Sequence, residues 1–228
     1  MYFELRFSSA GSFDVDGQPV NASSAVLTPS NLTLRLGLKV EVEGPMVGGV
    51  LQATAVKLRE GTVRVHATAS SVNTAAGTFV LTIAGQTVTV TANTSTELED
   101  KTSAANLTLA TLSSVNGRFL KVRGYDDGTG RGLIATRIRI DNTDDVILQG
   151  VVESQVVGTS VTVLGVAIPV DGTTDFQDVN NATLGGGHTQ FAASVTNGVS
   201  LIRVKDKAAG SGGANPVGVA DEIELQTP

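Results

Sequence analysis

The sequence has no cysteine and no tryptophan, and aromatic residues make up only 4% of its 228 residues. The absence of cysteine excludes a disulfide framework, a thiolate metal site and a cysteine nucleophile within this chain. No stretch of 18 apolar residues occurs, so no membrane-spanning helix is predicted. Residues 1–10 do not form a signal peptide, because Glu4 and Arg6 interrupt the apolar run.

Basic charge is also scarce. The formal net charge is −6, and residues 146–228 carry 3 basic against 8 acidic side chains. Proteins that bind nucleic acid or anionic membranes usually present a basic footprint across a domain. We therefore expect no specific nucleic-acid partner and no general attraction to a membrane surface.

One tetrapeptide pattern occurs three times at a spacing of 75 residues, at Asn31–Leu34, Asn106–Leu109 and Asn181–Leu184. Similar glycines and β-rich runs surround each copy. The sequence therefore predicts three tandem repeats, at residues 1–60, 61–145 and 146–228. The first repeat is shortened, which favours a mature or truncated form of an exported protein over a cytoplasmic one.

Each repeat has the pattern of a small all-β unit. A hairpin turn is predicted at Gly17, Gly85 and Gly165, each with positive φ. Aliphatic residues then alternate with polar ones at positions 56/58, 138/140 and 223/225, which indicates strands with one buried face. Five or six short antiparallel strands tend to close into a barrel, because closure removes exposed edges. We predict three tandem small antiparallel β-barrels of OB-like type, with small β-sandwiches as the alternative.

The repeated tetrapeptide is interpreted as a fold element and not as a site. The run after Asn106 is compatible with a short helix, for which Asn106 is a candidate cap, or with a strand. The third repeat carries two insertions, at residues 185–189 and 208–216, and both are expected to be loops or contact surfaces.

Residues with catalytic or metal-binding chemistry are few. His66 and His188 share no ligand spacing with each other or with a carboxylate cluster, so no metal site is predicted. The run Asp141–Asp145 resembles the start of a calcium loop. It has Val146 and Val152 where such a loop needs glycine and glutamate. No Gly-x-Ser-x-Gly motif marks a nucleophile. We therefore expect a non-enzymatic protein that needs no cofactor.

The second repeat contains the one candidate ligand-binding surface. Two strands at residues 117–124 and 132–140 are predicted to form a hairpin with four cations on its outer face and with Val122, Ile138 and Ile140 facing inward. The four cations are Lys121, Arg123, Arg137 and Arg139. Such a face suits an anionic polymer or an oligosaccharide. Phe119 and Tyr125 are the only aromatic residues nearby, which is few for a nucleic-acid groove. The alternative is a solvated strand face whose charges discourage edge aggregation.

The best-preserved segments are Gly37–Gly44 and Gly117–Gly124, each followed by a glycine-containing turn and an Ala-x-x-Ile-x-Ile type strand. This pattern resembles a bacterial family of unknown function, the one numbered 5666, which occurs as tandem repeats in exported proteins, lipoproteins among them. The third copy departs from the pattern at Asp206, where glycine is expected. The resemblance implies an exported β-rich repeat protein and supplies no catalytic residue.

Together these features favour a non-catalytic structural or interaction protein of the bacterial cell envelope or surface, outside the cytoplasm. Its expected partners are other proteins or copies of itself, within a larger assembly. The alternative function is a binding module for an anionic polymer or oligosaccharide through the basic hairpin of the second repeat.

Overall fold

The computed structural model describes residues 5–9, 11–15, 17–28, 30, 32, 34, 38–103, 106–207 and 218–227. The chain divides into two compact units, Met1–Thr62 and Val63–Thr227. Both units are built mainly from strands, which confirms the predicted all-β class. The boundary lies near the predicted joint at 60/61. The predicted joint at 145/146 lies inside the larger unit, so it separates sequence repeats but not compact units.

The first unit contains two sheets, with strand orders β1-β2-β3-β7-β6 and β4-β8-β5. Its strands are β1 Leu5–Ser9, β2 Ser12–Val15, β3 Gln18–Asn21, β4 Val26–Thr28, β5 Leu38–Glu43, β6 Met46–Val47, β7 Val50–Gln52 and β8 Ala55–Gly61. Only Ala53 and Thr54 separate β7 from β8 in the chain, although the two strands belong to different sheets. Within the described residues β5 pairs with β8 alone.

The second repeat forms a closed barrel. Its strands are β9 Val63–Asn73, β10 Thr78–Ile83, β11 Gln86–Thr91, β12 Glu97–Asp100, β13 Phe119–Asp126 and β14 Gly132–Ile140. The ring runs β9-β10-β11-β14-β13 and back to β9, and only the β11–β14 pairing is parallel. A short 3₁₀ helix, Leu109–Val115, lies between the third and fourth ring strands. This five-stranded ring with a helical crossover is the predicted OB-like barrel.

The third repeat has the same strand order. Its elements are β15 Val146–Val156, β16 Ser160–Val163, β17 Val166–Pro169, β18 Asp175–Gln177, α1 Gly187–Ser194, β19 Leu201–Asp206 and β20 Glu222–Gln226. β15 pairs with β16 and β19, β16 pairs with β17, and β19 pairs with β20. Among the described residues no ladder pairs β17 with β20, and the two strand ends are joined by a backbone hydrogen bond from Ala220 N–H to the Pro169 carbonyl oxygen at 2.9 Å.

The glycines of the repeat serve two distinct purposes. Gly17, Gly85 and Gly165 have φ values of 78°, 69° and 62°, which confirms the predicted turns. Gly44 and Gly124 instead allow close strand approach, since a Cβ there would lie 2.0 Å and 2.2 Å from a neighbouring carbonyl oxygen. At the corresponding position in the third repeat, the β19–β20 ladder ends at Lys205. Asp206 therefore has no ladder partner in β20.

The prediction that Asn106 caps a helix is wrong. The cap is Thr108, whose hydroxyl accepts from Thr111 N–H at 3.2 Å, while the Thr111 hydroxyl accepts from Thr108 N–H. The loop predicted at residues 185–189 is also wrong in part, because α1 begins at Gly187 and buries His188. Residues 31 and 33 and the insertion at 208–216 lie outside the described residues.

Residues 63–140 and 146–227 form a barrel pair. The N-terminal halves of β9 and β15 pair antiparallel, matching Arg64 with Gln149, Val65 with Leu148 and His66 with Ile147. The Gln86 amide donates to the Ala167 carbonyl oxygen at 2.8 Å and accepts from Ala167 N–H at 3.4 Å. One continuous apolar cluster includes side chains of both barrels. The two barrels therefore share a sheet and a core.

Among the described residues, the helices are too short or too polar to span a membrane.

Candidate functional site

The structure brings the four predicted cations together on one outer face. In the β13–β14 hairpin Lys121 lies opposite Arg139, and Arg123 lies opposite Arg137. The intervening Val122, Ile138 and Ile140 are fully buried, as the alternation predicted.

This face extends across both barrels. Residues matched strand by strand form two rows over eight strands, because paired residues point to the same side of a sheet. The first row is Glu99, Arg139, Lys121, His66, Ile147, Lys205, Glu222 and Asp175. The second row is Glu97, Arg137, Arg123, Arg64, Gln149, Arg203, Glu224 and Gln177. In each row the cations thus lie between acidic residues. We call these the charged rows.

Carboxylates neutralise much of the basic hairpin. Arg137 Nη2 lies 2.8 Å from Glu99 Oε2, and Arg139 Nη2 lies 2.6 Å from Asp141 Oδ2. Lys121 Nζ lies 2.7 Å from Asp144 and 3.7 Å from Asp141. The polar joint after β14 therefore supplies partners for two of the cations. A polyanion that approached these three side chains would compete with carboxylates already in place.

The ion pairs change the acidity of the carboxylates. Hydrogen bonds from Lys101 and Arg137 hold the pKa of Glu99 below its usual range. A hydrogen bond from Lys121 and one from the Asp145 backbone lower the pKa of Asp144. Burial alone would raise the pKa of Asp141, but hydrogen bonds from Asn142 N–H and Arg139 bring it down. All three carboxylates are thus ionised near neutral pH and stay paired with the hairpin.

In the third barrel, the cations of the charged rows pair with carboxylates on a neighbouring strand of the same barrel. Lys205 bridges Glu222 and Glu224, and Arg203 Nη1 lies 3.2 Å from Glu224 Oε2. Burial opposes ionisation, yet hydrogen bonds from Lys205 and Lys207 hold the pKa of Glu222 below its usual range. Glu224 is only 3% exposed. Removing a cation here would leave a buried carboxylate unpaired, which is costly.

His66 lies at the centre of the first row, between Lys121 and Ile147. Burial, together with the positive charges of Lys121, Arg64 and Arg139, lowers the pKa of the His66 imidazole to about 4, against the opposing effect of Asp144. His66 is therefore neutral at pH 7. The corresponding position in the third barrel holds Gln149, which is neutral at every pH.

Comparison with known proteins places this architecture in a family. The model described as Domain of unknown function (DUF5666) matches residues 6–57 and 66–139. The chain belongs to this family. No curated protein and no solved structure gives a significant match. The two matched segments coincide with the first and second repeats, in keeping with a tandem arrangement of family domains.

Sequence reasoning found four of the seven cations in the charged rows and missed Arg64, Arg203 and Lys205. Arg64 and Arg203 extend the second row, and the alternation in Val63–Val65 and Leu201–Val204 carried the signal for both. Glu97 and Glu99 were missed because β12 joins β14 in parallel from a connecting segment. Their charge alternation around Leu98 was visible, but the sequence did not reveal which strand they would join.

The second histidine has a packing role in the third barrel. His188 stacks on Phe176 with ring centroids 4.7 Å apart, and its Nδ1 accepts from Gly158 N–H at 2.9 Å. Burial lowers the pKa of the His188 imidazole, so the ring remains neutral and can accept this hydrogen bond. In the described part of the chain, no group of three or more His, Asp or Glu side chains is arranged to hold a metal ion.

We predict a pH-dependent loss of stability that originates at His66. Its pKa of about 4 in the folded protein lies below the ordinary value of 6.5, so the unfolded chain binds a proton first as the pH falls. Stability from this residue is complete above pH 6.5 and is lost between pH 6.5 and 4. Between pH 7 and 5 the loss should be about 2 kcal/mol.

The measurement is urea unfolding at several pH values for the wild type and for His66→Gln, which introduces the residue that the third barrel has at the corresponding position. The contributions of His188 and of Asp206, whose pKa burial raises to about 6, cancel in this comparison. Parallel stability curves for the two proteins would contradict the prediction.

Proposed function

We propose that this protein is a non-catalytic interaction protein of the bacterial cell envelope that works through barrel-to-barrel association. The observation that carries the proposal is the barrel pair of residues 63–227. There two family-type barrels join through the β9–β15 ladder, the Gln86–Ala167 hydrogen bonds and a continuous apolar cluster. The contact uses strand edges and turns that belong to the repeat itself.

The interior of the closed barrel also supports a scaffold role. Its inward positions are filled by apolar side chains such as Val65, Phe79, Leu81, Val88 and Leu120, all of which are fully buried. A packed interior gives a rigid body whose outer surfaces are available for contacts. The charged rows add a face whose ion pairs fix long side chains in place.

The location outside the cytoplasm is part of the proposal and rests on the family resemblance. It can be tested together with the interaction role, because Lys101 and Lys207 side chains are each 54% exposed and accessible to amine reagents.

Cells that produce the protein would be treated with a membrane-impermeant amine cross-linker. We expect the chain to appear in a complex of discrete higher mass, because the reagent reaches it and its partner is in contact. An abundant cytoplasmic protein of the same cells serves as the control and should remain unmodified. A chain that is labelled only after lysis would contradict the location, and a chain that is labelled yet stays monomeric would contradict the interaction role.

A second candidate function, binding of an anionic polymer, is favoured by one observation. The second charged row places Arg137, Arg123 and Arg64 on three adjacent strands, with Arg203 beyond Gln149. Neighbouring strands lie about 4.8 Å apart, so these guanidinium groups could follow the spacing of an extended polyanion. Against this candidate, Arg137 and Arg203 already have carboxylate partners.

The test is retention on a heparin column at low salt for Arg123→Gln/Arg137→Gln. Glutamine avoids placing new acids beside Glu97 and Glu99, and Gln149 and Gln177 already occupy this face. If the row binds polyanions, the variant should elute at clearly lower salt than Lys57→Gln/Lys207→Gln, which loses the same charge elsewhere. Equal elution of the two variants would reject this candidate.

A further inference from the structure

Asp206 is an ionisable residue on the core-facing side of β19. Along this strand Ile202 and Val204 are buried, so two-residue alternation places Asp206 on the same face of the sheet. Its partner across the β15–β19 ladder is Val146, which is also buried. The second barrel has Gly124 at the corresponding position, which carries no side chain. The third barrel therefore places an acid where the repeat pattern has none.

A small apolar recess lies against the Asp206 side chain. Its volume is about 20 Å³, and its other walls include Ile83, Leu148 and Ile168, which come from both barrels. A space of this size holds about one water molecule, which is too little to hydrate a carboxylate fully. The charged form of Asp206, which is itself half-buried, is therefore disfavoured on this side.

Two further carboxylates act on Asp206. Asp145 directly precedes its ladder partner, and Asp221 lies just before β20. Burial, followed by the negative charges of Asp221 and Asp145, raises the pKa of the Asp206 carboxyl from 3.8 to about 6, against a hydrogen bond from Gly218 N–H. Both the apolar recess and the neighbouring charges thus favour the protonated form.

The lysines on either side of Asp206 are paired with other carboxylates. Lys205 bridges Glu222 and Glu224 on the outer face, and Lys207 Nζ lies 2.9 Å from Glu222 Oε2. The residues that line the recess from β15, β17 and the β10–β11 hairpin carry no charge. Electrostatic relief for Asp206 therefore comes from binding a proton.

Backbone hydrogen bonds hold β19 and β20 together beside this group. Asp221 N–H donates to the Lys205 carbonyl oxygen at 3.0 Å, and Lys207 N–H donates to Asp221 Oδ2 at 2.7 Å. We call residues 205–207 and 220–221 the hairpin stem. As long as the stem is closed, these bonds keep two carboxylates close to each other.

We propose that Asp206 makes the hairpin stem a pH-sensitive latch, which opens locally when Asp206 is ionised and is held closed when Asp206 is protonated. Protonation removes a charge from the apolar recess and ends the repulsion by Asp221 and Asp145. It also gives Asp206 an O–H that can donate to a neighbouring carboxylate. The latch does not depend on the proposed interaction role.

The direction of the pH response follows from linkage. In the open stem, water reaches Asp206 and its pKa returns to the ordinary 3.8, so the closed stem binds the proton more tightly. The stabilisation of the closed stem is complete below pH 3.8 and is lost as the pH rises through the closed-state pKa of about 6. Between pH 7 and pH 5 the equilibrium constant for opening should fall about tenfold. This response is opposite in sign to that of His66.

The experiment is NMR-detected hydrogen exchange of the full chain at pH 7, 6 and 5, with rates corrected for the intrinsic effect of pH on exchange. The reporters are Ala220 N–H and Asp221 N–H, which are hydrogen-bonded in the closed stem. We expect their opening constant to fall about tenfold from pH 7 to pH 5 in the wild type. In Asp206→Asn, whose side chain is neutral at every pH, it should be low and nearly constant.

Two controls separate the latch from general effects of pH. Glu153→Gln removes an exposed acid of the same barrel and should keep the wild-type response. Asp127 N–H donates to the Gly132 carbonyl oxygen at 3.0 Å in the corresponding hairpin of the second barrel and should not show the tenfold fall.

A second readout is the titration of the Asp206 carboxyl carbon by NMR. Its midpoint should lie near pH 6 and move to lower pH in Asp221→Asn, which removes a repelling charge and keeps an oxygen for Lys207 N–H. A midpoint near 3.8 in the wild type would overturn the inference. So would an opening constant that does not change with pH, an equal response in Asp206→Asn, or exchange of both reporter amides only through global unfolding.

Discussion

The antiparallel ladder between β9 and β15 is the constraint on which the larger unit depends. It is short, with Arg64 opposite Gln149, Val65 opposite Leu148 and His66 opposite Ile147. Because β9 also belongs to the closed ring of the second barrel and β15 to the third, these pairs convert two barrels into one sheet. Val65 and Leu148 place their side chains in the common core, where both are almost completely buried. A slip of one residue would turn these side chains outward and exchange the buried and exposed faces of both strands.

The charged rows follow from this ladder. On the outer face, the same register aligns Lys121 with His66 on one side of the junction and Lys205 with Ile147 on the other. The two barrels then neutralise their cations differently. The second recruits Glu99 from an added strand and Asp141 from the joint, whereas the third uses Glu222 and Glu224 from the strand next to the cations. The contrast explains why the basic hairpin looks unbalanced when its two strands are considered alone.

The sequence correctly predicted the features that depend only on neighbouring residues, namely the turns and the buried faces of strands. The turn glycines at 17, 85 and 165 and the inward aliphatic residues Ile138 and Ile140 follow from steric freedom and from two-residue alternation, and both agree with the structure. The helix cap was misassigned because Asn106 and Thr108 are both good capping residues, and the capping box with Thr111 decides between them. The pairing of β12 with β14 and of β9 with β15 depends on which strand edges meet in space, which no periodicity in a single sequence specifies. The pairing of β12 with β14 placed Glu97 and Glu99 beside the predicted cations. The carboxylate partners of the basic hairpin are therefore the part of the site that the sequence did not predict.

The most direct test is whether the two barrels unfold together. It is made by native-state hydrogen exchange under increasing urea, followed by mass spectrometry of peptides that cover residues 63–68 and 146–151. If the β9–β15 ladder joins the barrels into one cooperative body, both segments should exchange with the same free energy of opening and the same dependence on urea. Residues 38–43 of the first unit provide an internal comparison and should open independently. Exchange of residues 146–151 at a distinctly lower free energy than residues 63–68 would contradict the single body and, with it, the barrel pair from which the proposed mode of association is drawn.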